Sequence, residues 1–555
     1  MGWETVLSTI FSIGAGLVLG VLLGRLMFLI LLKIIHFSVP LKFSVEPESL
    51  VDTAILFLII FFATLVFNLL QVQAAKTVDL LHGGNQGEKE PKTKWLLTLV
   101  GIAALGSGYY IAQTTESPLM AIGKFFIAVI LVIIGTYALF MAGSIALLKC
   151  LKRNKKFYYQ TRHFTSVSGM IYRMKQNAAG LANICIMSTV VLVLISISVS
   201  LYAGMEDIMN TRFPTDFRVD ISNTAEDNLS RAKEIIKEEI EISGIKVTDR
   251  VAYKSGGLPS SWDKKNGKLI LDVNDASISY AEDNFRALEM IPLSDFNEME
   301  NADMTLEANQ LLVYMPEDKF ESDKITIQNQ EYEVKKVLTH MKIDKDNMSH
   351  VIKPVYLIVK DEAQITELIN KYGESGITGM IYTDMFNLKG DEKAVGAAMQ
   401  SIREQLKTDV QECSAEYRQA FSQEFYAVYG GFLFLGVFVG ALFLMATVLI
   451  IYYKQISEGY DDRGRYQIMQ KVGMNHREVK SSIRSQVLMV FFLPLGAAVI
   501  HVAVAFKVMT KLLAVLNLIN VNLFLMCTIG TVIIFAIFYV LVFWVTSREY
   551  YKIVQ

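Results

Sequence analysis

The stretch Tyr426–Met474, YAVYGGFLFLGVFVGALFLMATVLIIYYKQISEGYDDRGRYQIMQKVGM, has two halves that together decide the fold. From Tyr426 to Tyr453 there is no charged side chain. A helix needs about 20 apolar residues to cross a hydrocarbon core of about 30 Å, so this half reads as a membrane span. The second half opens at Lys454 and is charged and amphipathic, as a segment leaving the membrane should be.

The same signal recurs along the chain. Stretches at about 5–32, 50–72, 95–113, 120–148, 181–204, 426–453, 487–509 and 518–546 are long and apolar enough, the third being the weakest. The first lacks a basic lead-in and exceeds the about 7–15 apolar residues of a signal peptide, so it counts as a span. Composition agrees: of 555 residues, 52% are hydrophobic and 19% charged, with mean hydropathy +0.36. Soluble proteins carry about 25% charge. The 32 Phe and 24 Tyr exclude a disordered chain. Only Cys150, Cys185, Cys413 and Cys527 are present, three of them in or beside apolar blocks, which excludes a disulfide scaffold.

Loop charge gives the orientation. The segment 149–179 holds eight basic residues and no acid; 454–486 holds seven basic residues; 73–94 holds Lys76, Lys89, Lys92 and Lys94. The loop 114–119 holds no Lys or Arg. Eight spans then place both termini inside and 205–425 outside. Residues 206–424 carry 42 acidic against 26 basic side chains, a net of −16, so a chain total of −2 leaves +14 on the membrane part. An acidic surface attracts cations, cationic peptides among them, although solubility alone accounts for it. The expected division is 1–204, five spans; 205–425, an extracellular α/β domain; and 426–555, three spans with a cytoplasmic segment 454–486.

Within the external domain, Phe217–Ile221, Leu269–Val273, Leu311–Tyr314, Ile325–Ile327, Val334–Leu338 and Val355–Val359 read as strands. Ala225–Ile242, Asp361–Tyr372 and Glu392–Leu406 read as helices, and Ser255, Gly256, Gly257 and Pro259 as a turn region. A last helix from about Ser414 is expected to run into the span at Tyr426, making a stiff lever.

No catalytic constellation appears. There is no nucleotide-binding G-x-x-x-x-G-K-[ST], no H-E-x-x-H and no G-x-S-x-G, and the seven His are scattered, so no metal site is expected. His501 lies inside a span, where a hydrogen bond to a neighbouring helix outweighs a functional role. Arg25 and Lys124 lie where they can snorkel. Gly16, Gly20 and Gly24 form a small-residue stripe suited to helix packing. In 454–486, Asp461–Val472 reads as a short helix on the cytoplasmic face, with acids at its N-terminal end, Tyr466, Met469 and Val472 on one side, and Gly473 as its C-terminal cap. Asn475 and Glu478 read as a capping box for the next helix. Such a helix either receives a push from a partner or lies on anionic lipid.

Tyr460–Met474, its continuation to His501, Val78–Gly84 with Glu88–Trp95 (EKEPKTKW), and Ser168–Ser188 (SGMIYRMKQNAAGLANICIMS) carry a resemblance. The chain resembles FtsX-like ABC transporter permeases, in particular the bacitracin-resistance branch of Gram-positive bacteria. The resemblance spans nearly the whole chain, specifically in the membrane parts and weakly in the external domain. It implies a polytopic α-helical membrane protein with one large extracellular α/β domain. It implies ten spans where eight are found, with Met1–Glu4 falling where the family's third span begins. It implies two copies of a separate ATP-binding subunit, with ATP bound there and no cofactor in this chain. The coupling contact would fall on Arg463, Arg465, Tyr466, Met469, Lys471, Gly473 and Met474. It further implies a sensor histidine kinase as partner, a peptide antibiotic or lipid-linked wall precursor as target, and no nucleic acid. Relay to a kinase without transport, or the lifting of lipids or lipoproteins, are the alternatives.

Overall fold

A computed structural model describes residues 2–35, 44–74, 94–159, 161–271, 284–345, 352–373, 379–471 and 476–554. All eight expected spans are helices long and apolar enough to cross a membrane. They lie in α1 (Gly2–Ile35), α2 (Pro47–Ala74), α3 (Trp95–Thr114) and α4 (Pro118–Ala138). The fourth span continues from α4 through a π-helical turn, Leu139–Gly143, into α5 (Ser144–Arg153). After the short α6 (Lys155–Tyr158) comes α7 (Thr161–Ala203), 43 residues long. The last three spans follow the α/β domain.

Burial is uneven among the spans. None of the residues in the most apolar window of α1 or α2 is buried, whereas half of those in α7 are. One apolar core joins α7 to the last three long helices, with Leu181, Cys185, Leu192, Ile451, Phe491, Ala498, Phe524, Tyr539 and Tyr550 inside it. Lipid tails are as apolar as leucine, so side-chain interlock rather than water exclusion holds this bundle together.

Between the two membrane parts, α8 (Met205–Arg212) leads to β1 (Phe217–Ile221), whose residues alternate buried and half-exposed. Then come α9 (Glu226–Ser243), β2 (Lys246–Asp263), β3 (Lys268–Ile270), β4 (Phe285–Pro292), α10 (Leu293–Glu300), β5 (Gln310–Tyr314), β6 (Lys324–Ile327), β7 (Gln330–Leu338), β8 (Lys353–Val359), α11 (Glu362–Tyr372), β9 (Met380–Lys389), α12 (Glu392–Asp409) and β10 (Cys413–Tyr417). The ten strands form one sheet in the order β10-β1-β9-β2-β3-β6-β7-β5-β8-β4, and β4 also pairs with β2. That extra pairing closes seven strands, β2-β3-β6-β7-β5-β8-β4, into a small barrel. All seven contribute to one interior core, including Leu258, Leu269, Met290, Val313, Ile325, Val334 and Leu357. Closure removes strand edges. The remaining arm, β9-β1-β10, extends from β2, and its Phe217, Ile221 and Phe386 pack with Ile235 of α9 and Ile402 and Leu406 of α12. Fully buried Asp384 on β9 accepts two hydrogen bonds from Arg250 on β2, at 3.0 and 2.5 Å, tying arm to barrel.

Three sequence expectations change here. Ser255–Pro259 is no turn but the middle of the 18-residue strand β2. A Cβ on Gly256 would run into Ile365 and Ile369 of α11, so this glycine allows close approach rather than reversal. Ser414 belongs to β10, and the helix entering the membrane starts four residues later, at Arg418. The strand expected at Leu269–Val273 is β3, Lys268–Ile270, and Val273 lies outside the described residues. The strands β2, β4, β9 and β10 were not legible as such.

Candidate functional site

The last three helices are α13 (Arg418–Lys471), α14 (His476–Val515) and α15 (Val521–Val554). The 54 residues of α13 make one unbroken helix from the end of β10 to Lys471. At 1.5 Å per residue that is about 80 Å. The expected short helix at Asp461–Val472, lying on the membrane face, is therefore replaced by an extension of the span itself. The 18 residues after Tyr453 carry α13 about 27 Å further.

The acids that suggested a helix start serve a different purpose. Lys454, Glu458 and Asp462 recur every four residues on α13 and are all buried or nearly so, as is Gln455. Asp462 accepts a 2.6 Å hydrogen bond from the hydroxyl of Tyr550 on α15, which is 1% exposed. Lys454 lies 3.8 Å from Glu458. One turn before Asp462, a Cβ on Gly459 would meet Ile553 at 3.3 Å and Tyr550 at 3.4 Å. A buried carboxylate costs far less when a donor meets it, so this contact holds α13 in register against α15.

Of the residues expected to carry the coupling contact, Arg463 and Lys471 are exposed on α13. Arg465, Tyr466 and Met469 lie on the same helix. Gly473 and Met474, and with them the expected cap and Asn475, lie outside the described residues; α14 resumes at His476. The structure thus brings five of the seven onto one helical extension, anchored at its root by Asp462 and Tyr550.

The glycine stripe expected to pack is open. A Cβ on Gly16 or Gly20 would meet nothing within 4 Å, and both line a cavity of about 670 Å³ between α1 and α2. Gly24 is half-exposed on the same helix. The reason is position: α1 runs along the outside of the bundle. Close packing occurs instead at Gly436 and Gly440 of α13. A Cβ on Gly436 would overlap Ser198 of α7, and one on Gly440 would come within 3.0 Å of Ile195. That four-residue spacing is visible in the sequence, whereas no local signal marks Tyr550.

His501 receives the structural role expected of it. Its ring nitrogens lie 2.7 Å from the Tyr109 hydroxyl and 3.1 Å from that of Thr136, joining α14 to α3 and α4. It borders an apolar cavity of about 550 Å³ beside the π-helical turn. Among the described residues no group of His, Cys, Asp and Glu is placed to hold a metal ion.

No family model matches the chain. Similar proteins include an uncharacterized ABC transporter permease of Bacillus subtilis, YvcS, 24% identical across 99% of this chain and 82% of the relative. The ABC transporter permease protein YxdM of the same organism is 24% identical across 91% and 76%. The bacitracin export permease protein BceB, also of Bacillus subtilis, is 22% identical across 90% and 76%. With its eight apolar helices, this chain is a multi-pass plasma-membrane protein, similar over nearly its whole length to ABC transporter permeases, a bacitracin export permease among them.

Proposed function

We propose that this chain is the permease subunit of an ABC transporter that resists and senses cell-wall-active peptide antibiotics, freeing lipid-linked wall precursors. ATP hydrolysis resides in two copies of a separate subunit. The observation that carries this reading is α13, one continuous helix joining the α/β domain to the segment expected to meet the ATPase. Closure of an ATPase against Arg463–Met474 would displace α13 along or about its axis. The domain at its other end would then move against a bound ligand. The basic loops at 149–179 and 454–486 support a cytoplasmic ATPase and an extracellular α/β domain.

The test is co-purification of this chain with its ATP-binding subunit. Arg463 is exposed, so Arg463→Glu reverses a charge without disturbing the fold. Recovery of the subunit should fall about tenfold, as loss of about 1.4 kcal/mol gives. Undiminished recovery would remove the contact from this helix.

The same helix would serve a relay to a sensor histidine kinase without transport. That version differs in one outcome: kinase activation by the antibiotic would persist with an ATPase-dead partner.

A further inference from the structure

Among the described strands, β10 alone pairs on one side only. Its ladder with β1 has a fixed phase, because Arg418 N–H bonds to Asp216 C=O at 2.9 Å and Ser222 N–H to Glu412 C=O at 3.0 Å. In an antiparallel pair, bonded and non-bonded residues alternate. Ser414 and Glu416, opposite Asp220 and Arg218, therefore bond to β1. The backbone groups of Cys413, Ala415 and Tyr417 face away from it.

That edge forms one wall of a groove of about 570 Å³, and α12 forms the other with Gly396, Arg403 and Lys407. Gly396 is unusual there. A glycine inside a helix costs about 1 kcal/mol relative to alanine. Yet a Cβ on Gly396 would meet nothing within 4 Å, so no neighbour in the described chain requires the space. The charges are also asymmetric. Glu416 is held by both oxygens on Arg212, at 2.7 and 3.0 Å, and Glu404 accepts from Gln400 at 3.0 Å. Arg403 rests on the Phe421 ring, and neither it nor Lys407 forms an ion pair among the described residues. Glu404 keeps its charge beside the neutral Gln400 amide, so the two cations Arg403 and Lys407 leave the groove's lining with a net charge of +1, inside a domain whose net charge is −16.

We propose that the groove between β10 and α12 binds an extended acidic peptide strand of a partner polypeptide, added to the sheet beside β10. Backbone bonds from Cys413, Ala415 and Tyr417 hold the strand, and Arg403 and Lys407 select its carboxylates. Cationic peptides are disfavoured, so this is a partner surface rather than the antibiotic's site. Because β10 runs directly into α13, strand addition would clamp the upper end of the long helix.

The test uses the full chain in lipid nanodiscs and two fluorescent peptides of about nine residues, a length typical of strands. One alternates valine with glutamate, the other valine with lysine. Fluorescence anisotropy should show saturable binding of the glutamate peptide and at least about tenfold weaker binding of the lysine peptide. Ala415→Pro removes an edge N–H without breaking the β1 ladder, and Gly396→Trp places a ring in the groove from a position whose Cβ meets nothing within 4 Å. Each should weaken binding about tenfold or more with the thermal midpoint unchanged. If Ala415→Pro misfolds, Gly396→Trp decides. Equal binding of both peptides, no saturable binding, or binding indifferent to Gly396→Trp overturns the proposal. So does self-association of the chain that Ala415→Pro abolishes, which would assign the edge to a second copy. No ATPase enters the assay, so its failure leaves the transport reading intact.

Discussion

The helices α1 and α13 carry the same small-residue spacing and differ in what faces it. On α13, Gly436 and Gly440 lie against Ser198 and Ile195 of α7, with no room for a methyl group at Gly436. On α1, Gly16 and Gly20 face open space. In a bilayer no hydrophobic drive pulls helices together, so close approach needs both a flat stripe and a neighbour shaped to meet it. The helix α7 provides that neighbour for α13, being half buried in its most apolar window, whereas α1 runs along the bundle's outer side with none of its most apolar window buried. Glycine spacing therefore permits contact without choosing the partner.

The largest effect should come from closing that contact by mutation. Gly436→Leu would drive its side chain into Ser198 and towards the Leu194 carbonyl, backbone that cannot swing aside. Overpacking of this kind costs about 1–3 kcal/mol, occasionally more. Loss of monodisperse protein in detergent, or a sharply lowered thermal midpoint, is the expected result. A variant as stable as the parent would show that α7 and α13 are not in register as described. A smaller effect should follow at the lower end of α13. Tyr550→Phe takes the phenolic donor from buried Asp462, at a cost of about 1–3 kcal/mol. Spin labels at the exposed positions Arg463 and Lys552 should then report a broader distance distribution, and adding Asp462→Asn should narrow it again. An unchanged distribution in Tyr550→Phe would mean that this hydrogen bond does not hold the extension in place.

Much of this was legible in the sequence, for specific reasons. Hydrophobic runs longer than about 20 residues are unambiguous, and all eight spans were placed. Strands with clean alternation, such as Phe217–Ile221, were found at their true limits. What failed was local inference where tertiary contact decides. Asp461 and Asp462 read as a helix start, because acids favour that position. Instead Tyr550, almost ninety residues away in sequence, accommodates Asp462 inside a continuing helix. Gly256 and Gly257 read as a turn, because nothing nearby announces that α11 crosses over Gly256. The barrel closure between β2 and β4 is likewise a pairing at a distance, with no local signature. For the residues expected to carry the coupling contact, the helix was legible but its geometry was not: it is continuous with the span rather than a separate piece resting beneath it.

The smallest expected effect is the most direct check on the opening comparison. Gly16→Ala and Gly20→Ala add a methyl group where there is nothing to meet and remove a poor helix former, so stability should shift by no more than about 1 kcal/mol, upwards if at all. Gly16→Leu extends the same argument. Its side chain would enter the cavity between α1 and α2, beside Leu50 and Phe57, which at about 670 Å³ has ample room for it. The thermal midpoint of Gly16→Leu should therefore stay close to that of the parent under conditions where Gly436→Leu unfolds or aggregates. If Gly16→Leu instead lowers the midpoint as far as Gly436→Leu does, α1 is packed as tightly as α13, and position on the bundle no longer explains the difference between two identical spacings.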